Sequence, residues 1–249
     1  MKQRAYPLRE DEPALVERVR WLCGRLLAWF GKNGRSFPWR EPDRPPYEIV
    51  VAEILLQRTT AAGVARAYPA FIGKYPSWAA LGCSSPEDLE AALQPLGLWR
   101  QKARALRNLA LSLEEGAGAL PDSRAALEHL PGIGPYTAST VLAIVYGRAE
   151  PFVDVNMARL LGRFFGLPRD ASGSDQRALH TLGLRLVKGK RSLQVNWAVL
   201  DFAALVCRAR RPLCPQCPLR ARCRYRSLEP NCPTPTPGAS SGSRSAGGQ

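Results

Sequence analysis

One pattern runs along almost the whole chain: apolar residues recur every three or four positions, and no segment sustains strand-like alternation. Val19, Leu22, Leu26, Trp29 and Phe30 share one helical face, and so do Leu89, Ala92, Leu93 and Leu96. The spacing repeats through Leu106, Leu109, Ala110 and Leu113, through Ala138, Val141, Leu142 and Val145, and through Met157, Leu160, Leu161, Phe164 and Phe165. Start signals agree with it. Ser85-Pro86-Glu87-Asp88 offers a cap, then a proline and acids for the first turn. Short Gly/Pro loops separate the periodic segments, and Arg35 to Pro46 is a proline-punctuated one. The expected fold is therefore all-α. A length of 249 residues suffices for one large domain or two modest ones.

Two of these helices are joined by Leu130-Pro131-Gly132-Ile133-Gly134-Pro135-Tyr136-Thr137. Glycines allow a tight turn and close backbone approach. Pro135 suits the first turn of the second helix, whose free N–H groups can hold a phosphate. A plain helical hairpin reads the same way, so this turn alone decides little. Asp154 follows Gly134 by twenty residues, at the head of the next periodic helix. An Asp there is most often an N-cap. It is also a carboxylate stabilised as an anion by the helix start.

Seven cysteines are present, and four of them crowd into seventeen residues as Cys207-x6-Cys214-x2-Cys217-x5-Cys223. Cys23 and Cys83 stand alone in apolar-periodic stretches and read as small buried hydrophobes. In a reducing compartment a tight cysteine cluster reads as a metal site. Four thiolates can bind zinc or an iron–sulfur cluster, and spacing alone leaves both open. Arg208, Arg210, Arg211, Arg220 and Arg222 are interleaved with these cysteines. The whole chain carries 35 Lys and Arg against 21 Asp and Glu, a net charge of +14. So strong a positive balance suggests a polyanion as partner, and nucleic acid is the commonest.

Taken together, four motifs in order resemble the helix-hairpin-helix glycosylase superfamily that includes endonuclease III. They are Phe37-Pro38-Trp39-Arg40, Glu53-Ile54-Leu55-Leu56-Gln57-Arg58-Thr59-Thr60, the hairpin with Asp154, and the cysteines, so that the likeness spans Phe37 to Tyr225. The resemblance implies two helical domains with a DNA-binding cleft between them, a helix-hairpin-helix motif and a C-terminal iron–sulfur loop. The expected division is 40–148 for the hairpin domain, 1–39 plus 149–227 for the iron–sulfur domain, and 228–249 for a tail. That tail, with Pro-Thr-Pro-Thr-Pro and Gly-Ala-Ser-Ser-Gly-Ser, is low in apolar residues and is expected to be disordered.

The implied chemistry is cleavage of an N-glycosidic bond on a base flipped out of duplex DNA. By resemblance, Asp154 stabilises the cationic sugar, and Glu53 protonates the leaving base or handles the water. Tyr136 stands where bifunctional relatives carry a Schiff-base lysine, and a phenol cannot form that intermediate. A monofunctional enzyme follows. Gly132, Gly134 and Thr137 of the hairpin, Gln57 and Arg58 beyond Glu53, and Asn156 and Arg159 beyond Asp154 are the expected DNA-binding set. Cys207, Cys214, Cys217 and Cys223 are the expected ligands of a [4Fe–4S] cluster.

Two subfamilies fit. Thymine/uracil mismatch glycosylases resemble the Leu55 to Ala61 segment and Asp201-Phe202. Adenine glycosylases share the Phe-Pro-Trp-Arg-like and hairpin motifs. However, they carry Asp-Gly-Asn where this chain has Asp154-Val155-Asn156, and a further domain where about two dozen residues follow Cys223. The expected substrate is thus double-stranded DNA with a mismatched or damaged base, G·T or G·U in preference to A opposite G or oxidised G, bound by a monomer. A DNA-binding module without catalysis, and a zinc-stapled helical protein, are the contrasting classes. Nothing approaches the roughly 18 apolar residues of a membrane span. Met1-Lys2-Gln3-Arg4 runs into charge rather than an apolar core, so no membrane or secretory route is expected and the location is cytoplasmic, on the nucleoid.

Overall fold

A computed structural model of the chain describes residues 13–114, 118–167 and 173–228. The expectations for Met1 to Arg4 and for the tail beyond Leu228 lie outside them, and so does the seventh cysteine, Cys232. The described residues form helices and connecting turns, with no strand among them. In chain order the helices are α1 (Pro13–Asn33), α2 (Pro46–Leu56), α3 (Ala61–Lys74), α4 (Trp78–Gly82), α5 (Pro86–Leu93) and α6 (Trp99–Glu114). There follow α7 (Arg124–Glu128), α8 (Pro135–Ile144), α9 (Val155–Phe165), α10 (Gly173–Val187), α11 (Ser192–Leu205) and α12 (Arg224–Leu228).

Local chemistry accounts for where these helices begin. Thr60, Ser77, Ser85, Ser123 and Asp154 occupy N-caps, each accepting a first-turn backbone N–H on its side-chain oxygen. Pro86 and Pro135 take first-turn places, where a missing N–H costs nothing. The face expected to run from Leu89 to Leu96 is split: α5 ends at Leu93, and Leu96 is buried from the following turn, which Pro95 opens. The isolated cysteines depart from expectation. Cys83 is exposed at the C-cap of α4, and Cys23 is half-buried, with its thiol pKa pushed up by burial.

Apolar burial gathers into two clusters. One joins Trp39, Val50, Ile54 and Leu55 to Leu93, Leu106, Leu109, Val141 and Leu142, from α2 to α8. The other joins Leu22 and Leu26 of α1 to Met157, Leu161 and Phe164 of α9, Leu182 of α10 and Val199 and Phe202 of α11. Three helices, α2, α8 and α11, are apolar nearly all round, as fully enclosed helices must be. Enclosure makes every polar group on them conspicuous.

The charged one among the fully enclosed groups is Asp201 on α11, with no exposed surface. Its carboxylate accepts the backbone N–H of Arg35 at 2.7 Å, Nε and Nη2 of Arg35 at 2.9 and 2.7 Å, and Nη1 and Nη2 of Arg40 at 3.0 and 3.1 Å. Both guanidinium groups also lie over the Phe37 ring, at 5.1 and 5.0 Å, and Phe37 stacks on Trp39 at 4.8 Å. The loop from Arg35 to Arg40 is thereby moulded onto α11. Removing one partner of a buried ion pair strands the other charge, which costs about 3–5 kcal/mol. Asp201→Asn keeps the shape and removes the charge. Arg35 is about one third exposed, which trims the penalty, so urea denaturation is expected to show a loss of about 3 kcal/mol. A loss under about 1 kcal/mol would mean that water already screens the cluster.

Candidate active site

Between α2 and α8 on one side and α11 with the start of α9 on the other, a cavity of about 410 Å³ opens. Its wall is assembled from distant stretches: Phe37 and Arg40 of the moulded loop, Glu53 and Leu56 of α2, Tyr136 of α8, Asp154 with Asn156, and Trp197 and Leu200 of α11. A cavity of this size lies within the usual range for small-molecule sites.

Asp154 fulfils the ordinary expectation for its position. It is the N-cap of α9, and its Oδ1 accepts the backbone N–H groups of Asn156 and Met157 at 2.9 and 2.8 Å. Its Oδ2 accepts Nδ2 of Asn156 at 2.5 Å. The carboxylate is thus held in one orientation on the cavity wall. The segment leading into it is fixed from α11. Asn196, fully buried, accepts the Phe152 N–H on Oδ1 at 2.8 Å and donates from Nδ2 to the Glu150 carbonyl at 2.9 Å.

Glu53 projects from the enclosed α2 into the same cavity. Burial raises its pKa from 4.5 to about 7, the Arg40 guanidinium pulls it down in part, and the negative charge of Asp154 pushes it up again. A carboxyl poised there can hold or surrender a proton at neutral pH. Tyr136, whose ring meets Phe152 edge-on at 6.0 Å, has its phenol pKa pushed well up by burial and by the Glu53 and Asp154 carboxylates. It stays a neutral hydroxyl.

Of the remaining expected site residues, Gln57 and Asn156 line the cavity, whereas Arg58 borders a neighbouring depression with Gln57, Leu98, Gln101 and Lys102. Gln57 donates from Nε2 to the Gly132 carbonyl at 3.2 Å, joining α2 to the hairpin. Gly132 has φ +79°, and a Cβ there would lie 3.1 Å from that of Ala105, so glycine is required twice over. Gly134, the N-cap of α8, has ordinary extended backbone and open space around it. Thr137 is buried, which leaves only its backbone N–H for an anion at this helix start.

Arg159 turns inward. Its Nη2 donates to Asn156 Oδ1 and to the Ala203 carbonyl, both at 2.9 Å, and its Nε donates to the Cys207 carbonyl at 2.9 Å. With most donors used inside the protein, it supports Asp154 through Asn156 in preference to reaching a phosphate.

The four clustered cysteines lie elsewhere. All border one apolar cavity with Leu160, Phe164, Phe202 and Leu219. Arg163 ties down the loop that carries them, donating to the carbonyls of Cys207 at 3.3 Å, Arg208 at 2.7 Å and Ala209 at 3.0 Å. Burial pushes the Cys217 thiol up to about 12 and the Cys223 thiol upward. Thiolates in such a cavity need a cationic partner. Among the described residues no three His, Cys, Asp or Glu side chains are close enough to chelate a single ion. Four thiols spaced around one apolar cavity fit a many-atom cluster held at its corners.

Sequence reasoning missed Asn196, Trp197 and Lys102. Asn196 is a polar residue in the apolar run of α11, which is the one signal it gives; Trp197 looks like any core residue there, and Lys102 sits among Arg100, Gln101 and Arg104 and looks like a surface lysine. It also missed Leu98, exposed, with φ +57°, facing the same depression as Arg58 at φ +53°. Nothing in its residue type marks that conformation.

Comparison with known proteins fits this geometry. Residues 51–182 match the HhH-GPD superfamily of base excision DNA repair proteins. The chain is 33% identical to the thymine/uracil-DNA glycosylase of Methanothermobacter thermautotrophicus over 80% of its own length and 90% of that protein. It is 33% identical to the human adenine DNA glycosylase over 85% of its length, which spans only 40% of that relative. Among solved structures, a thermostable thymine-DNA glycosylase superposes with a TM-score of 0.80 at 31% identity, covering 86% of this chain and 99% of that one. An all-helical fold, a hairpin, and a carboxylate-lined cavity thus come together with a sequence match over more than half the chain, which belongs to the HhH-GPD superfamily of base excision DNA repair proteins.

Proposed function

We propose that this DNA N-glycosylase excises thymine or uracil mispaired with guanine, leaves an abasic site without cutting the strand, and acts as a monomer. The observation that carries the reading is the convergence of Asp154, Glu53 and Tyr136 on one cavity. Identity to a thymine/uracil-DNA glycosylase along 90% of that relative supports the choice of base.

The target nucleotide leaves the stack and its base enters the cavity. Glycosidic cleavage puts positive charge on the sugar, and the immobilised Asp154 carboxylate offsets it without reorganising. Glu53, in its protonated form, donates to the departing pyrimidine as the glycosidic bond breaks; water then adds to the sugar carbon and gives its proton to the Glu53 carboxylate, which leaves the abasic site and restores the acid. Tyr136 lines the base site and offers no amine, so no Schiff base forms. The hairpin from Gly132 to Thr137 takes a backbone phosphate on its N–H groups. Gln57 and Arg58 meet the gap or the opposite base, and Asn156 and Arg159 brace Asp154. A division into 40–148 and 1–39 plus 149–227, with 228–249 as a tail, belongs to this reading, and the gathering of apolar burial into two clusters supports it. Cys207, Cys214, Cys217 and Cys223 hold a [4Fe–4S] cluster, which supplies a rigid cross-link for the basic loop. Among the described residues no helix is long and apolar enough to cross a membrane, and a nucleoid location follows from the substrate.

The first test is single-turnover base release from duplexes with G·T, G·U, G·A and oxidised-G·A pairs, read with and without alkali. Strand breaks only after alkali, at G·T and G·U, are expected. Adenine release would transfer the enzyme to the other subfamily with its mechanism intact, and breaks without alkali would refute the reading of Tyr136. Asp154→Asn is expected to slow release by about 10³-fold while duplex binding persists. An unchanged rate sinks its role, and no release by the wild type favours the binding module.

Glu53 sets the pH dependence. Its folded pKa of about 7 lies above the ordinary 4.5, so the proton donor is present below pH 7 and is lost above it. The release rate should therefore fall about tenfold per unit on the alkaline limb, and Glu53→Gln should flatten that limb. A rate that instead falls below pH 7 would make Glu53 a base. Purified protein should absorb near 400 nm and contain iron; a colourless sample with stoichiometric zinc overturns the cluster.

A further inference from the structure

Lys102 is buried, with 2% of its surface exposed, on the apolar face of α6 beside Ala103 and Leu106. Burial pushes its ammonium pKa down from the usual value. A methionine would fill that space without the desolvation penalty, so the ammonium calls for an explanation. Its Nζ donates to the Gln57 carbonyl at the C-cap of α2. Its backbone N–H donates to the Leu98 carbonyl at 3.0 Å, the first-turn bond of α6 that any residue there would make, so the ammonium's reach to Gln57 is what lysine adds to the Leu98 turn.

These two bonds engage the two turns with positive φ beside the cleft, at Arg58 and at Leu98. The turns already lie close together: a Cβ on Gly97 would be 3.8 Å from the Arg58 carbonyl and 3.9 Å from Thr59 Oγ1. Neither arginine nor leucine adopts a left-handed conformation readily, so each turn must be held by its surroundings. On the far side, Gln57 is bonded to the hairpin through the Gly132 carbonyl. Lys102 therefore stands at a junction of α6, α2 and the hairpin.

We propose that Lys102 is a positioning residue that fastens the Gln57–Arg58 turn and the Leu98 turn into one rigid edge, against which a distorted duplex is recognised. The inference rests on the glycosylase reading. It assigns to Lys102 the discrimination of mismatched from matched DNA, and no part in bond cleavage. A helix-stabilising lysine at the end of α2 would instead affect the whole fold and every duplex alike.

The test compares K102M and K102R with the wild type. Amide hydrogen exchange at Gln57 and Thr59 is expected to quicken at least tenfold in K102M, with the amides of α8 unchanged. The half-saturating enzyme concentration for a G·T duplex should rise about tenfold, matched-duplex affinity and the saturated single-turnover rate should stay within threefold, and K102R should recover most of the loss. Unaltered exchange at both amides overturns the proposal, and so do equal losses on matched and mismatched DNA. Should K102M unfold, K102Q and K102R carry the same comparison. A wild type that releases no base defeats the glycosylase reading alone, because the exchange measurement still decides whether Lys102 holds the turn.

Discussion

A single carboxylate with no access to water, Asp201, holds two arginines and a backbone N–H from a loop more than 160 residues away in sequence. Charge in an enclosed place is tolerable only when fully partnered. Such a group admits one arrangement of its neighbours, and that arrangement carries Phe37 and Arg40 to the cavity wall. Five residues earlier on the same helix, Asn196 applies the same logic to uncharged groups, fixing Glu150 and Phe152 just ahead of Asp154. An otherwise apolar helix thus positions both sides of the site through its two buried polar side chains.

In the proposed mechanism Asp154 joins a chemical role to a structural one. Capping α9 requires a side-chain oxygen that faces backbone N–H groups, and a carboxylate supplies one. Facing a sugar cation requires a carboxylate that does not move. The same hydrogen bonds meet both demands. Asn156 completes the set and is itself gripped by Arg159, which also holds the Cys207 carbonyl. The cysteine loop and the cavity are therefore mechanically joined although they share no lining residue.

How much of this was legible in the sequence follows from how local each cause is. Helix faces and caps are set by near neighbours, so Leu106 to Leu113 and Ser85 stand where periodicity and capping chemistry put them. The family likeness likewise picked out residues that converge, Glu53, Gln57, Tyr136, Asp154 and Asn156. Direction was less legible. Thr137 lies on the inner face of α8, Arg159 points into the protein, and Cys83 is exposed because a one-turn helix ends beneath it. The partners of Asp201, Asn196 and Lys102 come from distant segments, and no local pattern announces them.

The cavity wall and its fixed carboxylate hang from different supports. Asp154 depends on α9, Asn196 and Arg159, whereas Ile49, Leu56 and Ala61 belong to α2 and the start of α3. Lineages of such a chain can therefore drift in which nucleobase they accept by exchanging wall residues, while the carboxylate stays where it was. One scaffold can diversify into readers of different lesions without inventing its chemistry again.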